Sequence, residues 1–274
     1  MKLRVGIITS FERGVASHHL EYIAKKVPEH YEIYAVIWVR NPPKKNNRFW
    51  RRKIKKFFKI GVLGTLNGIR MRPWFNKDVD NLLEIKSIQH VCQKNSIPIW
   101  KVDQLNSDET RTKLKELNLD LVLSLGNGFI ASSVFSIPKF GMINVHHEIL
   151  PKYRNAQSVI WQLHQKSAHT GYTIHKINRT IDSGAVLYQE SIPIQFRSSL
   201  SSTVTNSIAF VWNASAHGLH CLLSHWGDTE PLHLDETPGH FTTPTAMQFL
   251  KIHRNWRKLM RVESTKKSGL PRAN

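Results

Sequence analysis

Apolar positions along the chain fall into short continuous runs and helical stripes, and the two alternate. Leu3 to Thr9 is a run rich in β-branched side chains, and Leu20, Ile23, Ala24 and Val27 follow at helical spacing within Ser17 to Val27, closed by Pro28. Tyr31 to Val39 reads as the next strand, and this β-α-β opening predicts a parallel, doubly wound sheet. The rhythm resumes with a helix over Asp78 to Asn95, a short strand at Ile97 to Val102, and a helix from the Ser107 cap region to Asn118. Leu119 to Leu125 is a buried strand by composition, followed by a short helix near Ala131 to Phe135. Gly141 to Val145 is another such strand, running into polar residues before Pro151 stops it. Beyond it the pattern gives a helix over Ser158 to His164, strands over Thr170 to Ile177 and Ala185 to Gln189, and a long helix from Ser202 to Ser224.

One stretch breaks this alternation. Asn41-Pro42-Pro43 ends the second strand, after which Trp50, Ile54, Phe57 and Phe58 recur at helical spacing among Arg51, Arg52, Lys53, Lys55, Lys56 and Lys59. The segment from Thr229 onward holds Pro231, Pro238 and Pro244 and then a basic tail. The expected organisation is a catalytic domain over 1–225 with a basic insertion near 41–75, and a short extension over 226–274.

Charge sharpens that division. The net charge is +19, and the two stretches 44–72 and 251–274 carry eighteen of it, so the rest of the chain is close to neutral. The basic helix within 44–72 has three readings: a solvated face on its own domain, attachment to an anionic membrane, or contact with nucleic-acid phosphates. Hydrophobic residues make up 41% of the sequence, enough for a real core. Cys92 and Cys221 fit no zinc or CxxC spacing, which points to a reduced, cytoplasmic setting. No stretch reaches a membrane span, and the N-terminal apolar run is too short for a signal peptide.

The loop after the first strand, Ser10-Phe11-Glu12-Arg13-Gly14, lacks both the dinucleotide fingerprint and the P-loop. Gly126-Asn127-Gly128 is a turn that lets a ligand approach backbone closely, or a plain strand-to-helix turn. Asn144 and His146, two positions apart on a strand, point the same way beyond its carboxyl end, where open α/β sheets bind ligands. With Asp182 they supply a carbonyl-polarising amide, a proton-passing imidazole and a proton-accepting carboxylate, the parts of acyl transfer. Metal chemistry competes for the histidines, but no HExxH occurs and His217 with His220 lacks a third ligand; no metal is expected. No GxSxG elbow is present.

The series Asn144-Val145-His146, Leu150-Pro151-Lys152-Tyr153-Arg154, Thr170-Gly171-Tyr172-Thr173 and Asp182-Ser183-Gly184 resembles the successive motifs of the folate-dependent formyltransferases. The separation of 36 positions from His146 to Asp182 suits that pattern. The resemblance implies a Rossmann-like, mostly parallel sheet and transfer of a formyl group from 10-formyltetrahydrofolate to a primary amine by Asn144, His146 and Asp182. It further implies folate binding at Gly126, Asn127, Gly128 and Ile130 and at Asn178, Arg179, Thr180 and Ile181. His147, Glu148, Tyr153, Arg154 and Thr173 are the implied acceptor contacts. His147, Glu148 and Asn155 stand where the family usually has Pro, Ser and Gly, so they are where acceptor choice is expected to differ. Family members that act on tRNA carry a C-terminal β-barrel, which is not expected here. The expected acceptor is therefore a nucleotide- or lipid-linked amino sugar, with the basic helix holding the enzyme at the inner face of the membrane. Methionyl-tRNA formylation, a formate-releasing hydrolase and a non-catalytic binding protein on the same scaffold are the alternatives.

Overall fold

A computed structural model describes residues 2–26, 29–41 and 47–268. Seven strands form one sheet in the order β3-β2-β1-β4-β5-β6-β7. They are β1 (Leu3–Thr9), β2 (Tyr31–Val39), β3 (Ile99–Val102), β4 (Leu121–Ser124), β5 (Met142–His146), β6 (His169–Lys176) and β7 (Val186–Pro193). The pairings β1 with β2 and β4, β2 with β3, and β4 with β5 are parallel, and the expected doubly wound, mostly parallel sheet holds to that point. From β5 onward the direction reverses: β6 and β7 are antiparallel, β6 doubling back beside β5 and β7 following through a turn rather than a crossover helix.

Central strands are buried on both faces, which explains why β4 and β1 from Val5 onward do not alternate between apolar and charged residues. Leu20 and Ile23 of α1 (Val15–Ala24) pack with Leu219 and Leu222 of α8 (Leu200–Ser224) against Ile7, Leu123 and Ile174 on one face. On the other, Leu114 and Leu117 of α5 (Asp108–Leu117) and Val134 of α6 (Ser132–Phe135) cover Ile8, Ile37 and Val122. Ser107 caps α5 as expected, its Oγ accepting from the Thr110 N–H.

Three helical expectations change. The single helix over Asp78 to Asn95 is two, α3 (Lys77–Leu82) and α4 (Ile88–Lys94), because Glu84 turns left-handed, Ile85 N–H bonds back to Asp80 O, and Ser87 starts a new cap. The interruption is a long helix, α2 (Asn47–Phe75), bent at Gly61, whose φ of 71° and ψ of 177° no helix accommodates. Pro42 and Pro43, read as its upstream breaker, and Val27 and Pro28, read as the end of α1, lie outside the described residues. Finally, the segment after 225 contains α9 (Ala246–Ser268), a helix that periodicity did not single out. Ile252 and Trp256 of α9 are buried with Leu163 of α7 (Ile160–His164), Val204 of α8 and Met71 of α2 in a second core. Asn255 Nδ2 donates to Leu163 O and His164 O, and Trp256 Nε1 to Thr203 Oγ1, so this segment shares the body's core. Lys266, Lys267 and Arg272 of the expected basic tail lie in side chains or residues outside that description.

Candidate active site

β5 ends beside β6 in a register that pairs Asn144 with His175 and His146 with Thr173. Period 2 along each strand then puts Asn144, His146 and His175 on one side of the carboxyl edge. His175 decides how the Asn144 amide is turned. Its Nδ1 lies 3.0 Å from Lys176 O and, facing a carbonyl, must carry a proton. Burial pushes the ring's pKa down to about 4, a shift that the Lys176 hydrogen bond opposes, so the ring is neutral and Nε2 can only accept. The Asn144 atom 3.3 Å away is accordingly the amide nitrogen, which keeps its second N–H for a ligand.

His146 Nε2 lies 3.3 Å from the carbonyl of Tyr153, and Nδ1 faces Asp182 Oδ1 at 3.8 Å. Asp182, with φ of 54° in the turn between β6 and β7, takes the Asn155 N–H on its other oxygen at 3.3 Å. The three residues singled out in the sequence thus meet at one cavity although a strand and a distant turn carry them.

Two cavities open on that point, and His146 and His147 stand on the wall of both. The first, about 430 Å³, is lined by Asn144, His175 and Asp182 and by seven of the eight residues expected to hold folate: Gly126, Asn127, Gly128, Ile130, Asn178, Thr180 and Ile181. Arg179 is not on this wall. The Asn127 amide is occupied within the protein, donating to Ile8 O and Ser124 Oγ and accepting from Ser10, so it shapes the turn and leaves backbone to face the cavity. Phe129 and Ile181, both largely exposed, flank its mouth.

The second cavity, about 530 Å³, includes Arg13, Arg72, Asp80, His147, Glu148 and Gln157 with Phe75 and Trp212. His147 is half-buried between Trp212 and His19, its pKa pushed down to about 3 by desolvation and then by His146 and His18. Glu148 is buried and takes a hydrogen bond from Gln162; loss of hydration holds its carboxyl well above the ordinary range. His147 Nε2, Glu148 Oε1, Asp80 Oδ1 and Gln157 Oε1 are buried without hydrogen-bond partners. A set of orphaned polar atoms around one cavity marks a place where a polar ligand completes the bonding.

Three expected acceptor contacts are not on this wall. Thr173 is fully buried, its hydroxyl donating to Glu148 O and accepting from Leu150 N, so it braces the loop after β5. Tyr153 donates to Gln165 Oε1 and stacks on Phe241. Arg154 bridges by backbone to His240. Conversely, Arg13, Arg72, Asp80 and Gln157 were not singled out from sequence, since nothing in their local pattern separates them from surface residues. His175 carried a signal, the period-2 step from Thr173 within the strand. Among the described residues no three His, Cys, Asp or Glu side chains are grouped to hold a metal ion.

Residues 76–214, just over half of the chain, match the formyl transferase family model. The chain belongs to the formyl transferase family. The matched region starts directly after α2. Curated relatives of this chain include the methionyl-tRNA formyltransferases of Trichormus variabilis, 31% identical over 125 residues, and Gloeothece citriformis, 36% identical over 110 residues. These alignments cover 45% and 39% of this chain, and only 37% and 33% of the relatives' lengths, so the chain matches about a third of each. Among solved structures, phosphoribosylglycinamide formyltransferase of Bacillus halodurans superposes over 81% of this chain and 95% of its own, with a TM-score of 0.53 and 17% identity. A sugar N-formyltransferase of a Shewanella species does so over 93% and 87%, with a TM-score of 0.55 and 13% identity. At those identities the likeness is one of fold.

Proposed function

We propose that the protein transfers a formyl group from 10-formyltetrahydrofolate to the primary amine of a phosphate-bearing or lipid-linked amino sugar. The observation that carries this reading is the meeting of two cavities at His146, one for a donor and one for an acceptor. A volume of about 430 Å³ with backbone exposed at Gly128 and an apolar mouth fits a folate head group. Bound there, the cofactor supplies an electrophilic formyl carbon. The free Asn144 N–H donates to the formyl oxygen as negative charge develops on it, and the His146 Nε2 proton, held only by a long bond to Tyr153 O, is the second donor. Asp182 would accept the amine proton, directly or through a water, as the new C–N bond forms, and that proton would go to the folate nitrogen as its bond to the formyl carbon breaks; the 3.8 Å gap to His146 leaves room to tighten as ligands bind.

The acceptor cavity supports the amino sugar. Arg13 and Arg72 suit a phosphate, and the orphaned atoms of His147, Glu148, Asp80 and Gln157 suit a ring of hydroxyls. Burial favours the protonated form of Glu148, and in that form it offers a donor where a carboxylate would only accept. The second reading, formylation of methionyl-tRNA, is favoured by the names of the curated relatives. Release of folate from 10-formyltetrahydrofolate with a panel of amino sugars, their nucleotides and charged tRNA separates the two. Asn144→Ala and Asp182→Asn should each lower kcat by on the order of 10²–10³ with the fold retained. Turnover near that of the parent in both would sink the assignment.

A further inference from the structure

α2 is not used by the chemistry above except at its last turn, and its surface is unlike the rest of the molecule. At about 100° per residue, Trp50, Ile54, Phe57 and Phe58 fall within one stripe roughly 100° wide. All four are exposed, Phe58 at 78%. Beyond the bend at Gly61, the arm turns Met71 and Trp74 inward and leaves Val62, Leu63, Leu66 and Ile69 outward, Leu63 at 64%. The reading of the helix as one packed on its own domain holds for Ile60 and for the inward side of the second arm, and leaves these outward side chains unaccounted for. Around the outward side chains stand Arg51, Lys55 and Lys59, and no Asp or Glu occurs between Glu32 and Asp78.

Those charges find no counter-ion within the helix. Lys56 is held below the ordinary ammonium range by partial desolvation and then by Lys53 and Arg72. Next to the second arm, Arg70 with Arg257 and Arg261 of α9 lines a depression of about 520 Å³.

We propose that α2 is a peripheral membrane anchor that lays its apolar stripes into an anionic lipid surface. Three partners could cover such a face, and its composition selects among them. A second copy would bring the same unpaired cations against themselves. Nucleic-acid phosphates would satisfy the cations but leave Ile54, Val62, Leu66 and Ile69 in water. An anionic bilayer takes both, the apolar groups below the headgroups and the Lys and Arg among the phosphates, with the Arg70, Arg257 and Arg261 depression a recess for one headgroup. No helix among the described residues is long and apolar enough to cross a membrane, so α2 lies on the surface. Since α2 also gives Arg72 and Phe75 to the acceptor cavity, docking brings that cavity to the lipid. That consequence rests on the proposed acceptor role; docking itself does not.

The test is flotation of the full chain with vesicles of phosphatidylcholine alone or mixed with phosphatidylglycerol, without folate or acceptor, so that its result is independent of catalysis. Binding is expected only to the mixed vesicles. The exposed-site variants Ile54→Ser/Phe58→Ser and Lys55→Gln/Lys59→Gln should each weaken it by on the order of tenfold while leaving Tm unchanged. The proposal is overturned if the mixed vesicles are not bound or if binding survives Ile54→Ser/Phe58→Ser. It is equally overturned if the chain ignores vesicles and instead shifts tRNA, or forms a dimer that the same variant dissolves.

Discussion

Gly184 sits two residues after Asp182, where the turn between β6 and β7 passes directly over the β6 backbone. A Cβ built there would lie 1.7 Å from the carbonyl oxygen of Lys176 and 2.7 Å from its carbon. Ordinary contact needs about 3.2 Å, and a backbone carbonyl in a sheet cannot swing aside as a side chain can, so Gly184→Ala forces the turn outward by about 1.5 Å. The displacement is passed to Asp182, and a misplacement of about 1 Å at a reacting group is enough to lower turnover roughly 10²-fold. Overpacking of this kind destabilises by about 1–3 kcal/mol, which for a domain of this size lowers Tm by roughly 5 °C. The control is Gly128→Ala, on the wall of the donor cavity, where an added Cβ meets nothing within 4 Å; its Tm should be unchanged. Differential scanning calorimetry and folate-release kinetics on both variants make the comparison. Parental kcat and Tm for Gly184→Ala would refute the argument that the turn is fixed by that contact.

Removal of the buried imidazole in His175→Leu should flatten the acid limb of stability. The folded pKa is about 4 against an ordinary 6.5, so the unfolded chain binds the extra proton in that window, and stability falls as pH drops through it. His175 contributes about 1.4 kcal/mol per pH unit there, and urea melts between pH 4 and 7 should show the variant's slope lower by that amount. An unchanged slope would mean that His175 is already protonated in the folded protein. Arg72→Gln should raise the acceptor KM about tenfold with the folate KM unchanged; equal effects on both would remove Arg72 from the acceptor cavity's role. Trp256→Ala should destabilise by about 3–5 kcal/mol in denaturant melts, because the indole is buried and bonded to Thr203, whereas a solvated tail would lose almost nothing.

Short-range pattern was sufficient wherever burial imposes a regular period. Val5 to Thr9, Ala35 to Ile37 and Leu121 to Ser124 are buried stretches because both faces of a central strand are covered there, and the alternation of such runs with helices predicted the parallel, doubly wound part of the sheet. Asn144, His146 and Asp182 were legible because their spacing and surrounding residues form an ordered series along the chain. What local pattern does not encode is which distant surface closes over a residue. Thr173 and Tyr153 lie in the same series, yet the antiparallel return of β6 and the helix that carries Gln165's neighbours engage their hydroxyls within the protein. Arg13, Arg72, Asp80 and Gln157 come from four separate segments and meet only after those pack together. The same holds for the two basic stretches, which look alike in composition. α9 has Ile252, Asn255 and Trp256 on one side and finds α7 and α8 to bury them, whereas the first arm of α2 finds no such surface and keeps its aromatic stripe in solvent. Composition determined that both are basic; only the positions of neighbouring helices decided which of them had a core to join.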